Sequence, residues 1–135
     1  MMSFFEAVRT CMVEKYARFS GRATRAEYWW FYLFTFLVIM GAVTLMVIGA
    51  VLEEMQMGND LVNLSLIFFG LLVTFSLIIP SIAATVRRLH DTGRSGWWYF
   101  VSFIPYVGDI ILIVFCCLPS ESGENEYGEE WTEDA

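Results

Sequence analysis

The sequence has one histidine, three prolines and three cysteines among 135 residues, and its acids outnumber its basic residues. Each shortage excludes a class of function. With His90 alone there is no imidazole pair for a catalytic zinc site, and Cys11, Cys116 and Cys117 show neither C-x-x-C spacing nor a zinc pattern. The thiols read as small apolar fillers, and no cofactor is expected. The formal charge of -7 is uneven, since residues 1–118 hold all eight Lys and Arg against eight acids and residues 119–135 hold seven acids alone, so neither part carries the one-sided basic surface of a nucleic-acid binder. No glycine loop of the phosphate-cradling kind occurs, and no nucleophile is identifiable beside His90, so no enzyme is expected.

What is present in excess is apolar. Hydrophobic residues make up 57% of the chain, above the roughly 45–50% of soluble domains. The runs are long and do not alternate, which selects membrane helices over a barrel. No cleavable leader is expected, because the first run begins late and is too long for one. Tyr28–Leu52 carries no charge and, at about 1.5 Å per residue, reaches about 37 Å, enough to cross a core of about 30 Å. Thr24 with Glu27 three residues on is a capping-box pattern that opens this helix, and Tyr28, Trp29, Trp30 and Tyr32 supply an aromatic belt. Leu61–Val86 is a second uncharged run, kinked at Pro80. Trp97–Leu118 is a third apolar run, charged only at Asp109, read as one crossing, with a kinked or re-entrant form as the alternative because Pro105, Gly108 and Asp109 fall near its middle.

The fold class predicted is therefore an all-α membrane protein. A short amphipathic helix in residues 4–19 precedes spans at 28–52, 61–86 and 97–118. Residues 1–118 form one helical domain, and an acidic tail at 119–135 is disordered. The amino-terminal helix either lies along the headgroups or docks on its own bundle. All eight Lys and Arg lie before the first span or in the 87–94 connector. The positive-inside rule then places the amino terminus in the cytoplasm and leaves the side of the tail open.

Two charged, aromatic-flanked segments share that face: Arg18, Arg22, Arg25 and Glu27 beside Trp29, and Arg87, Arg88, His90, Asp91 and Arg94 beside Trp97. Glu27 and Asp91 can pair with arginines of the opposite segment and fix the end of the bundle. The competing use of the same residues is a pocket for a phosphate headgroup or another anion. Asp109 is an intramembrane acid if its helix is continuous, and a carboxylate at a helix start if the chain breaks at Pro105. His90 reads as an interfacial histidine with its hydrogen bonds satisfied.

The stretches Phe19-Ser-Gly-Arg-Ala-Thr-Arg-Ala-Glu-Tyr-Trp29 and Arg87-Arg-Leu-His-Asp-Thr-Gly-Arg-Ser-Gly-Trp-Trp98, with Gly123, Asn125, Tyr127 and Gly128, resemble the YhaH-like domain-of-unknown-function 805 family of small bacterial inner-membrane proteins. The resemblance implies an inner-membrane protein of unassigned activity. It singles out Gly21, Arg22, Arg25, Glu27, Tyr28, Trp29, Arg87, Arg88, His90, Asp91, Ser95, Gly96 and Trp97, and it does not include Asp109. The expected role is a non-enzymatic scaffold that binds lipid or a membrane partner. The alternatives are a subunit of an oligomeric transporter or channel built around Asp109 and, more distantly, a membrane enzyme resting on His90 and Asp91. Membrane lipids and a second copy or another membrane protein are the partners expected.

Overall fold

The computed structural model describes residues 2–129, and every regular element among them is helical. In chain order these are α1 (Phe4–Arg9), continued by a π-helical turn (Thr10–Glu14), α2 (Arg25–Glu54), α3 (Asp60–Ser76), α4 (Ile78–Asp91), a 3-10 helix (Gly96–Phe103) and α5 (Val107–Cys117). Two apolar helical stretches, Arg25–Glu54 and Asp60–Asp91, have the length and composition to cross a membrane. The chain divides into two compact units, one of Met1–Tyr32 with Ile79–Ala135 and the other of Leu33–Ile78.

In the Leu33–Ile78 unit, α3 starts at Asn59, whose side chain accepts from Leu61 N at 2.8 Å. That cap satisfies one of the amide donors left over at a helix start. Gly70 lets the helices come close, since a Cβ there would sit 2.9 Å from the Ala42 carbonyl and strike Met46. The outward sides, with Phe36, Val47, Phe68 and Phe75 exposed, are apolar, as lipid-facing helices require. The break between α3 and α4 at Leu77 follows from Pro80, which has no N–H for the Ser76 carbonyl and is tolerated in the first turn of a new helix.

The other unit begins with a capping box in which Ser3 Oγ accepts from Glu6 N while Glu6 Oε2 accepts from Ser3 N. Ala7 and Cys11 are fully buried, and Phe5 and Val13 point outward. The helix expected over residues 4–19 ends at Glu14. Lys15 donates to the Thr10 carbonyl in a wide turn and itself leaves helical geometry at φ -130°.

The third apolar run is not one continuous helix but is broken near its middle, where the sequence placed the kinked or re-entrant alternative to a single crossing. Ile104 is extended (φ -73°, ψ 118°), Tyr106 is left-handed (φ 65°), and α5 begins only at Val107. The cause is local: the ring of Pro105 pushes the residue before it out of the helical region and offers no amide to continue the ladder. The tail differs as well. Residues 119–129 hold defined contacts, including Glu121 N to the Asp91 carbonyl at 2.8 Å and a mutual Asn125–Gly128 backbone pair. Residues 130–135, also expected to be disordered, lie outside the described residues.

Candidate functional site

Thr24 Oγ1 accepts from Glu27 N at 3.1 Å and sets the first turn of α2, which carries Glu27 inward. At the far end of α4, Arg87, Arg88 and Asp91 are fully buried. The two segments are joined along the backbone by Ala23 N donating to the Arg87 carbonyl at 3.0 Å. Burying this many charges demands that each be paired and hydrogen-bonded.

Arg87 Nη1 meets Glu27 Oε1 at 2.5 Å, and Cys11 Sγ stands 3.7 Å from both Glu27 Oε1 and Arg87 Nη2. Burial, together with the neighbouring Glu27 charge and against that of Arg87, pushes the Cys11 thiol up to about 12. It is therefore a protonated spacer and not a nucleophile. Asp91 collects the second set: Arg22 Nε donates to Oδ1 at 2.8 Å, and Arg88 Nη1 and Ser120 Oγ both donate to Oδ2.

Other donors of Arg22 and Arg88 go to backbone carbonyls, most of them in the carboxy-terminal segment, while buried Arg87 Nε has no partner among the described residues. Arg22 Nη1 donates to the Gly123 and Gly128 carbonyls at 2.8 and 3.2 Å, and Nη2 to those of Glu121 and Asp91 at 2.6 and 3.2 Å. Those four bonds and the one from Nε use all five donors of a guanidinium. Arg88 donates to the Cys116 carbonyl at 2.9 Å and to that of Leu118, the orphan acceptors at the end of α5, and to Ala23 O at 3.1 Å.

His90 completes the arrangement. Its Nδ1–H donates to the Gly21 carbonyl at 3.0 Å, its ring stacks on Tyr127 with centroids 4.0 Å apart, and its own carbonyl accepts from Asn125 Nδ2 at 2.9 Å. Residues 120–128 are thus a strap across the ends of α2 and α4.

Of the candidates read from sequence, Arg22, Glu27, Arg87, Arg88, His90 and Asp91 come together here. Arg25 is exposed. Trp29 sits edge-on to Tyr28 and Tyr32. Arg94 lies 4.4 Å over the Phe115 ring. Trp97 is exposed and stacks on Phe100. Asp109 stands apart, exposed in the first turn of α5. The sequence reading took Cys11 as a small apolar filler and gave no role to Ser120, Glu121 or the strap. The signal available for the strap was the fixed spacing of Gly123, Asn125, Tyr127 and Gly128, turn formers that need a partner for their carbonyls.

Beside this network opens a cavity of about 770 Å³, lined among others by Glu6, Glu14, Lys15, Arg18, Glu27 and Tyr127.

The three sequence blocks meeting at Arg22 and Asp91 are the blocks on which the family resemblance rests. The family model described as "Protein of unknown function (DUF805)" matches residues 16–129, from just before the first block to just past the last. The chain belongs to the DUF805 family. Among its relatives, the inner membrane protein YhaI of Escherichia coli is 36% identical over 119 residues, covering 88% of this chain and 90% of YhaI. The inner membrane protein YhaH of the same organism is 35% identical, over 88% of this chain and 91% of YhaH. The uncharacterized protein YiiR is 31% identical over 66% of this chain and 51% of its own length. No solved structure matches. The family match and the long apolar helices make this a membrane protein, and no enzymatic family is indicated.

Proposed function

We propose that the protein is a non-enzymatic, multi-pass protein of a bacterial inner membrane, with its amino terminus in the cytoplasm, that acts as a scaffold holding lipid or a membrane partner. The relatives' names and the gathering of all eight Lys and Arg in one unit support the address. The observation that carries the role is the use of all five Arg22 donors within the chain. A guanidinium committed in this way organises the end of the bundle, and a phosphate would have to displace a carboxylate and several carbonyls to reach it.

Ligand contact then falls to the adjoining cavity. Lys15 and Arg18 bring positive charge to it, Glu6 and Glu14 negative charge, and Tyr127 an aromatic face. Its volume is in the usual range for small-ligand sites. A headgroup that bears both a phosphate and an amine matches that mixed lining better than a purely anionic one. Native mass spectrometry of the gently extracted protein tests this. Wild type is expected to retain phosphatidylethanolamine over phosphatidylglycerol, and Lys15→Gln with Arg18→Gln to lose that preference without a change in thermal stability. Equal lipid retention by wild type and the double variant would remove the headgroup reading.

A further inference from the structure

We infer that residues 96–118 do not cross the membrane but form a hairpin that enters and leaves the cytoplasmic leaflet, so that the carboxy-terminal strap and the amino terminus lie on the same side. This rests on the cytoplasmic placement of the charged network proposed above.

The argument begins at the ends of the segment. It leaves from Ser95, four residues beyond Asp91, where Ser95 Oγ accepts from Trp97 N at 3.3 Å. It returns at Cys116 and Leu118, whose carbonyls accept from Arg88 of the same α4 end. Trp98 lies edge-on to Phe115 at 5.4 Å, and the Arg94 guanidinium covers the same ring. The start of the outward leg and the end of the return leg therefore share one level.

The legs also match in length. The 3-10 helix Gly96–Phe103 has 8 residues, about 16 Å at about 2.0 Å each. Helix α5 has 11 residues, about 16 Å at about 1.5 Å each. Each reaches about half of a hydrocarbon core of about 30 Å, and neither approaches the roughly 20 residues of a crossing helix. At the turn, Gly108 is pressed against the Val101 carbonyl, where any Cβ would collide. The two legs are thereby held side by side.

The occupant of the outer surface is lipid hydrocarbon. Trp97, Phe100, Phe103, Ile110 and Val114 are all more than half exposed, a continuous aromatic and aliphatic face that water would disfavour. Its tryptophans lie at the end nearest the arginines, where interfacial tryptophans belong. Irregular backbone at the turn is tolerated in a membrane where protein packs against it, as Val101 does against Gly108.

The test uses the full chain with Glu126→Cys in the strap and Cys117→Ser removing the exposed native thiol; Cys11 and Cys116 are buried. A membrane-impermeant maleimide is added to right-side-out and to inside-out vesicles. Labelling of inside-out vesicles alone, matching that of a cysteine placed at exposed Arg18, is the expected result. Labelling of positions 18 and 126 from opposite sides of the membrane would overturn the hairpin and restore a third crossing. If both positions label only from outside, the hairpin stands and the cytoplasmic placement fails, so the two readings separate. Lipid retention by the same protein reports independently on the headgroup proposal.

Discussion

The two compact units of this chain solve the same problem, burial of backbone and side chains in a membrane protein, by opposite means. Residues 33–78 contain no Lys or Arg. They close through small groups, with Gly70 and Ala42 at the contact and a single buried amide, Asn63, donating to Glu53 at 3.3 Å and to the Met57 carbonyl at 3.0 Å. Between apolar helices in lipid there is little hydrophobic gain, and close packing of small residues takes its place. The other unit holds every cation of the chain and buries Arg22, Arg87 and Arg88 completely or nearly so. Its specificity comes from hydrogen bonds that only one arrangement of the three motif blocks can supply.

The comparison breaks most sharply at Asp91. Replacing it by Ala leaves Arg22 Nε, Arg88 Nη1 and Ser120 Oγ without their acceptor in a buried site. Loss of one partner from such a set costs about 3–5 kcal/mol. Asp91→Ala should therefore yield little monodisperse protein in detergent. Glu53→Gln, which keeps an oxygen for Asn63, should unfold within about 1 kcal/mol of wild type. Comparable losses in both variants would erase the distinction between the units.

The second break is steric. A Cβ on Gly70 falls 2.9 Å from the Ala42 carbonyl, so Gly70→Val must push α2 and α3 apart, at about 1–3 kcal/mol by the usual cost of overpacking. Thermal unfolding followed by size-exclusion should show that loss. Gly41, with open space around its Cβ position, is the control, and Gly41→Ala should leave the melting temperature unchanged or slightly raised.

How much of this was legible depends on whether the signal was local. The two long helices were legible because unbroken apolar length is a property of a window, and the Thr24–Glu27 cap because its hydrogen bond spans three residues. The pairing of Glu27 and Asp91 with arginines of the opposite segment followed from charge counting at one membrane face, although which arginine meets which acid did not. The hairpin was half legible. Pro105 announced a break, but the return of Leu118 to Arg88 depends on a contact 30 residues apart. The strap was illegible because composition argued the other way. Glu, Ser and Gly at 120–128 read as disorder, and it is the donors of Arg22, with contacts from Asp91 and His90, that give the segment a reason to settle.

That strap gives the third prediction. Tyr127 stacks flat on His90 at 4.0 Å, and a ring pair of this kind couples by about 0.5–1.5 kcal/mol. In a double-mutant cycle, Tyr127→Ala and His90→Ala should each lower stability, and the double variant should fall short of their sum by that amount. Strict additivity would mean that the ring pair adds nothing to the hydrogen bonds from Arg22, Asp91 and His90 that hold the strap.

The smallest effect concerns Cys11, and it is read chemically. Its thiol is buried beside Glu27 and raised to about 12, whereas an ordinary cysteine ionises near pH 8.5. A raised value means the folded state favours the protonated form. The contribution is complete below the ordinary thiol pKa and is lost as pH climbs from there toward about 12. In detergent near neutral pH, iodoacetamide should modify exposed Cys117 and spare Cys11 until the fold opens. The Arg87→Ala variant removes the one cation that lowers the thiol, so it should leave Cys11 less reactive wherever it still folds. Faster modification would show that the amino-terminal helix has come away from Glu27, which turns this thiol into a reporter of whether the charged unit holds together.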